Sequence, residues 1–367
     1  MTVIPLHPFS YTRCQTDEDC QRKRYLSREW GGTGLEPILA GWNLVFGNIM
    51  HKALEDFANA HVVTGKGQFD LDWVRKETFE QAILAKFDGI AAKAWAGLAV
   101  GLLLGFERSV WPGLISEYEV IETEKWIEYE PKSGFLFRAR QDLLLRNKFD
   151  GHTAYVDYKT TSSTKPQWIK SWNKSIQLHS SMFAMRKTTS HLVERAIVIG
   201  LYKGYKDDKN NVQRSILNYG WCNREYAMSP QYSYTYTKAK GWELFSVADE
   251  FEDPMQWIAN MPTPLLSEQF PMTGPIMARD DIAEVWFRQQ LIREQEVSDA
   301  IQKLHTSTTL EEITLILDTH FKQNFSKCDP SFGYGCEFEP LCWIPHVQAD
   351  PLSSGYFKRH ESDIEAE

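Results

Sequence analysis

The chain has no run of about 18 uninterrupted apolar residues, the length a helix needs to cross a bilayer. The nearest stretch, Ala94–Phe106, is shorter, is bracketed by Lys93 and Glu107, and reads as a buried helix. The first residues, MTVIPLHPFSYTRC, carry neither the charged start nor the apolar core of a secretory signal, so a cytoplasmic protein is expected. There is no internal repeat and no GxxxxGK[ST] phosphate loop, which disfavours an ATP-driven motor. Positive charge is not in excess either. A formal net charge of −9 excludes a uniformly basic nucleic-acid coat, but it is compatible with a carboxylate-lined metal site beside a local basic track. Cysteine is sparse, six residues in 367, and in a cytoplasmic chain it points to metal ligation or buried thiols over disulfides.

What is present is globular. A hydrophobic fraction of 43% with 13% aromatics lies far from disordered compositions, and 367 residues can bury a sizeable core. The 13 tryptophans exceed what core filling needs, and surface rings of this type suit nucleic-acid stacking. A single unit is expected over 1–346, with a helical part at about 60–118, a catalytic core at about 119–202, a helical and cysteine-bearing segment at about 255–346, and a tail over 347–367. In Asn43–Ala60, Phe46, Met50, Ala53, Leu54 and Phe57 recur at the spacing of one helix face. Strands are expected over 119–129, 135–145, 154–160 and 194–202, and helices over 176–187 and 279–305, with a further helix over 306–321. Residues 1–40 read as irregular, with a basic cluster at Cys20–Leu26, and 203–225 as a polar hairpin.

The chemistry concentrates in FLFRARQDLLLRNKFDGHTAYVDYKTT, residues 135–161. Asp150-Gly151 between two strand-like runs is a hairpin signal. Alternation places Phe135, Phe137, Ala139, Leu143 and Leu145 on one face and Arg138, Arg140 and Asp142 on the other. With Asp150 and Gly151 as the central turn residues, Asp142 lies opposite Lys159 and Leu144 opposite Asp157, so the two acids are diagonal neighbours on one face. Two acids and a lysine there are costly without a cation and form a metal site with one. Asp-x-Lys alone is common; a solvated strand with a cross-strand ion pair is its plain reading. Gly47, His51 and Glu55 recur every four residues along the preceding helix, and Gln177 opens the following one.

Taken together, Gly47-Asn-Ile-Met-His51-Lys-Ala-Leu-Glu55, Asp142, Asp157-Tyr-Lys159-Thr160 and Gln177 resemble, in kind and order, the RecB-like and Cas4-like branch of the PD-(D/E)xK nucleases. The resemblance implies an α/β (α+β) restriction-endonuclease-like fold: a mixed central sheet flanked by helices, with a helical insertion and a cysteine-clipped C-terminus. It implies Mg²⁺ or Mn²⁺ held by His51, Asp142, Asp157 and the Tyr158 carbonyl, with Lys159 and Gln177 completing the catalytic set. It also implies a four-cysteine iron–sulfur site at Cys20, Cys328, Cys336 and Cys342, holding a [4Fe-4S] cluster; zinc satisfies the same thiolates, and buried free thiols remain open. Ser181 replaces the family's usual tyrosine after Gln177, and Asp157 stands where Glu is common.

The implied activity is metal-dependent DNA hydrolysis, preferentially of single-stranded DNA or of DNA with free ends, as an exonuclease in repair, recombination or phage DNA processing. Arg138, Arg140, Lys165, Trp168, Lys170 and Trp172 are the expected substrate contacts. In TKPQWIKSWNK, lysines for phosphates alternate with rings for bases; a solvated amphipathic turn is the plain alternative. Glu124 faces either the same site or solvent. A catalytically silent DNA-binding scaffold of the same fold and an iron–sulfur or zinc protein of nucleotide metabolism are the competing readings.

Overall fold

The computed structural model describes residues 8–38, 41–87, 89–161, 165–206, 270–328, 336–344 and 350–359, residue 348, and three short strand segments between 213 and 247. Most of the expected hairpin over 203–225, Cys222 and the ESDIEAE tail lie outside them. The elements needed here are helices α1 (Tyr11–Asp19), α2 (Gln21–Arg24), α3 (Trp42–Thr64), α4 (Leu71–Leu84), α5 (Gly89–Ser109), α6 (Trp111–Glu117), α7 (Lys165–Trp172), α8 (Ile176–Thr188), α9 (Asp280–Thr306) and α10 (Leu310–His320). The strands are β1 (Leu35–Pro37), β2 (Tyr118–Lys132), β3 (Phe135–Asn147), β4 (Thr153–Thr161), β5 (Val193–Tyr202), β6 (Ile276–Met277) and β7 (Tyr356–Lys358).

The central sheet has the order β6-β5-β4-β3-β2; β4 and β5 run parallel and the remaining pairs antiparallel. The crossover from β4 to β5 carries α7 and α8, the connection a parallel pair requires. Along β5, Ile197, Ile199 and Leu201 enter one core with α3 to α6, while Ala196 and Val198 enter a second with α8 and α9. The sheet is therefore buried on both faces, in keeping with the near-continuous apolar run of its parallel strand. The apolar stretch Trp95–Glu117 passes a length-and-composition test for a membrane span, yet 61% of that window is buried inside the protein. Leu98, Leu102, Leu103 and Phe106 of this stretch pack against α3 and the sheet.

Two expectations need correction. Of the segment expected to be irregular, residues 8–38 are described and hold helices: Ser10 caps α1, its hydroxyl accepting the Arg13 N–H at 3.2 Å, and α2 leads into a further helical turn, Tyr25–Glu29. Its buried positions include Arg13, Asp17, Arg24 and Glu29, so no apolar periodicity marks it. Within the 347–367 segment, β7 pairs with β1 and Tyr356 packs beneath it on Phe338. The residues Phe135 to Leu145 do not share a face. Phe135 and Phe137 join the α8/α9 core, whereas Leu143 and Leu145 join the α3 core. The alternation changes phase between them, opposite Glu124, whose φ of +44° breaks the regular pleat of β2.

A buried ionic network ties the N-terminal helices to α9. Arg24, fully buried, reaches Glu294 at 2.7 Å and Glu29 at 3.4 Å; Arg13 meets Glu29 at 2.5 Å, and Arg293 grips Asp17 at 2.7 and 3.0 Å. Removing one member of such a set leaves an uncompensated charge in the core. Glu294→Ala is therefore expected to lower the unfolding free energy by roughly 3–5 kcal/mol in urea titrations at neutral pH. A loss below about 1 kcal/mol would show that Glu29 and Asp17 suffice for Arg24.

Candidate active site

The β3–β4 ladder runs from Arg146↔Thr153 to Leu143↔Val156. The turn holds four residues, not two. The Asn147 N–H donates to the His152 carbonyl at 2.8 Å, and Gly151, with φ +74°, donates to the Asn147 carbonyl at 2.9 Å. Every pairing moves by two positions from the register expected for a two-residue turn, and a shift of two leaves each side chain on its own face. Asp142 thus comes level with Asp157, one step past the last ladder pair. There its carboxylate replaces a neighbouring strand: Oδ2 accepts the Tyr158 N–H at 2.6 Å, and Oδ1 lies 3.2 Å from His51 Nδ1.

His51 arrives from α3, whose apolar face presses on the sheet through Phe46, Met50 and Leu54. The helix approaches β4 closely at Gly47, where a Cβ would lie 3.7 Å from Thr160 Oγ1. One turn further along, His51 reaches Asp142. On β4, Lys159 Nζ binds both oxygens of Asp157, at 2.9 and 3.1 Å, and the Tyr155 hydroxyl donates to Asp157 at 3.0 Å. Trp172 of α7 lies 5.8 Å from the Lys159 amine. Glu124, on the distorted step of β2, completes the group, ion-paired with Arg140. One ligand atom each from His51, Glu124 and Asp142 falls within 4.8 Å of the others, the one such trio of metal-ligating side chains among the described residues. The expected metal set included Asp157; the tightest trio contains Glu124 in its place, while Asp157 is engaged by Lys159 and Tyr155.

The electrostatics follow from crowding acids in a buried cleft. Burial pushes the Glu124 carboxyl up to about 7, the Asp142 charge adds to the push, and Arg140 opposes it. Burial also raises the Asp157 carboxyl, against the pull of Lys159. For Asp142 burial is outweighed by the His51 imidazole and the Tyr158 N–H, which hold its pKa below the usual carboxylate range. His51 and Lys159 are both raised: burial alone would lower them, but Asp142 prevails at His51 and Asp157 at Lys159.

The other expected residues divide. Gln177 lies in the first turn of α8, half-buried. Trp168 is a core residue, 6% exposed, and not a stacking platform. Gly200 of β5 makes room for its indole, since a Cβ there would come within 3.0 Å of the ring. Trp172 is half-buried beside Lys159, Lys170 is exposed, and the Lys165 side chain lies outside the described residues. Arg138 pairs with Glu128 at 2.6 Å, and both Arg138 and Arg140 lie over the Trp126 ring, at 5.5 and 5.8 Å. Of the residues the sequence left uncommitted, Glu124 is the main gain; it belongs to no motif, and its only signal was its place on the strand preceding the one that carries Asp142.

The four expected cysteines, all free thiols, lie in the region where the two chain ends pack together. Cys20 Sγ accepts the Asn324 N–H at 3.5 Å, Cys328 Sγ lies 3.7 Å from the Asn324 carbonyl, and the Cys336 N–H donates to the Cys328 carbonyl at 3.2 Å. Cys336 and Cys342 border a small core of Leu26, Leu35, Phe338, Leu341 and Tyr356. Burial pushes the Cys336 thiol up and that of Cys342 to about 11, and neighbouring thiols add to both.

A mixed sheet buried on both faces carries an imidazole, acids and a lysine where two of its strands part, in an α/β fold of the restriction-endonuclease-like kind. The model of the PD-(D/E)XK nuclease superfamily matches residues 8–342, and the chain belongs to that superfamily. No curated protein matches the sequence.

The His51–Asp142 pair has a testable signature. The raised His51 pKa means that its protonation stabilises the fold below the unfolded value of about 6.5, and that this contribution disappears as pH rises through the folded pKa. In the metal-free protein, NMR titration should place the wild-type imidazole above about 6.5 and that of Asp142→Asn below it. Equal values in the two proteins would refute the pairing.

Proposed function

We propose that this protein is a metal-dependent DNA nuclease that hydrolyses phosphodiester bonds as an exonuclease on single-stranded or end-containing DNA, in repair, recombination or phage DNA processing. The observation that carries the reading is the convergence of His51, Asp142, Asp157 and Lys159, in the order of the superfamily motif, on one cleft with Glu124. The donor set fits a divalent cation: His51, Glu124 and Asp142 bring one ligand atom each within 4.8 Å of the others, and burial, with Asp142 adding to it, disfavours the Glu124 charge that a cation would stabilise.

His51, Asp142, Asp157, Glu124 and the Tyr158 carbonyl would hold Mg²⁺ or Mn²⁺, and the imidazole favours Mn²⁺. When bound, such an ion activates water and offsets charge on the phosphate oxygens. The chain's own residues do the rest. Asp142, fixed by the Tyr158 N–H, holds His51 in place. Asp157 and Tyr155 fix Lys159, whose ammonium neutralises developing charge on the phosphate. Gln177 orients the attacking water or the strand, and Arg138, Arg140, Lys165, Lys170 and Trp172 contact the substrate. Cys20, Cys328, Cys336 and Cys342 would hold a [4Fe-4S] cluster, with zinc as the other occupant. The reading is supported by the neighbourhood of the four thiols, with Cys20 and Cys328 on either side of Asn324 and Cys336 and Cys342 bordering one small core.

With Mn²⁺ and end-labelled single strands, the wild type should degrade DNA. Lys159→Ala should slow it by about 10²–10³-fold, and Asp142→Ala should reduce it to background while keeping DNA binding. A wild type inert with every divalent ion would sink the enzymatic reading. For the cysteines, anaerobically purified protein should contain iron and absorb broadly near 400 nm, roughly as iron–sulfur centres do. Cys20→Ser should lose both; zinc without iron in the wild type would assign the other occupant.

A further inference from the structure

One buried cation of the molecule is used by neither the catalytic set nor the ionic network. Lys203 follows β5, its backbone N–H donating to the Thr161 carbonyl at 2.7 Å, so it sits beside the C-terminal end of the catalytic strand. The residue is only 5% exposed. Its amine bonds the Asn43 side-chain oxygen at 2.7 Å and lies 5.9 Å from the centre of the Phe46 ring. Both are neutral partners, and among the described residues no carboxylate pairs with it. Burial pulls its pKa down to about 8, with no opposing charge to restore it.

A buried ammonium without a counter-ion is costly, and natural proteins rarely keep one without use. Here the cost is compounded by position. Asn43 stands in the first turn of α3, whose N-cap, Gly41, provides no side chain to cap the helix, so amide dipoles point their positive end at the same place. Gly41 and Asn43 are themselves exposed, which gives solvent-borne groups access to the rim. An ammonium and a helix N-terminus together favour one kind of guest, an oxyanion.

The same helix carries His51 eight residues later, about 12 Å along its axis. We propose that Lys203 and the N-terminal turn of α3 form a phosphate-binding site for the substrate strand, separate from the cleft at which that strand is cut. The assignment of the phosphate to a DNA strand rests on the nuclease reading; the anion site itself does not. Lys203 would be a positioning residue: it fixes where the strand lies along α3 and thereby which phosphodiester reaches His51 and Asp142. The phosphate is either an internal phosphodiester or a terminal monophosphate, which share the same oxyanion chemistry.

The test uses the full chain and Lys203→Met, with Lys203→Gln as a second variant that keeps a hydrogen-bonding group near Asn43 without the charge. Inorganic phosphate should raise the melting temperature of the wild type and of neither variant, and both variants should melt at or above the wild-type temperature without phosphate. In Ca²⁺, short single strands should bind the variants about tenfold more weakly. The slope of log affinity against log salt should fall in magnitude by roughly 0.7, the signature of one lost phosphate contact. If the loss is the same for strands with and without a terminal phosphate, the guest is internal; a loss confined to phosphorylated ends assigns the terminus. Phosphate stabilisation and strand affinity unchanged in a folded variant would overturn the proposal. So would variants that melt far below the wild type yet keep its phosphate response, because the lysine would then be a core strut. A wild type that binds phosphate through Lys203 but never cleaves DNA would sink the nuclease reading and leave the site standing; active cleavage with phosphate binding independent of Lys203 would do the reverse.

Discussion

The carboxylate of Asp142 is the point on which the site turns. Beyond Leu143↔Val156 the two strands stop exchanging backbone hydrogen bonds, and the Tyr158 N–H would be left buried without a partner. Asp142 supplies that partner with one oxygen and meets His51 with the other. A buried amide and a half-buried imidazole are thus satisfied by one side chain, which fixes α3 against β4 and leaves the carboxylate charge in place. Asp142 is a structural clamp, and the geometry of the remaining residues is set around it.

The parting of the strands has a counterpart in β2. Glu124 adopts a left-handed backbone conformation that a non-glycine residue takes only under compulsion from its surroundings. The same step reverses the facing of β3, sends Phe137 and Leu143 to different cores, and turns Glu124 toward His51 and Asp142. Its pairing with Arg140 and its raised pKa describe a carboxyl held between an arginine and other acids. Away from the cleft, the Arg24–Glu294 network ties α1 and α2 to α9, so the helices flanking the central sheet are anchored by charge as well as by apolar packing.

Much of the architecture was legible beforehand because it obeys simple periods. The 3.6-residue repeat of Phe46, Met50, Leu54 and Phe57 marked α3, and the apolar run of 194–202 marked β5, the strand that pairs in parallel with β4. His51, Asp142, Asp157 and Lys159 were legible as a set because their order matches the superfamily motif, and the structure gathers them. The hairpin survived a wrong turn length because the error shifted the register by two, the period of the strand. Where the sequence misled, the buried residues were polar or the exposed-looking ones were not. The helices before residue 30 bury arginines and acids, which no hydrophobic pattern announces. Trp168 looked like a surface ring because lysines surround it in the chain, yet Gly200, far off in sequence, opens a place for it in the core.

The sequence by itself determined the element order, the faces of the long helices, the superfamily and the identity of the acids and the lysine, since each depends on local periodicity or on residue type. Only the tertiary structure decided that Glu124 belongs with His51 and Asp142, that Trp168 is core, and that Lys203 is a cation buried beside the start of α3. These depend on which distant segments share a desolvated volume, and the cost or benefit of a charge or a ring is set by that volume, not by its neighbours along the chain.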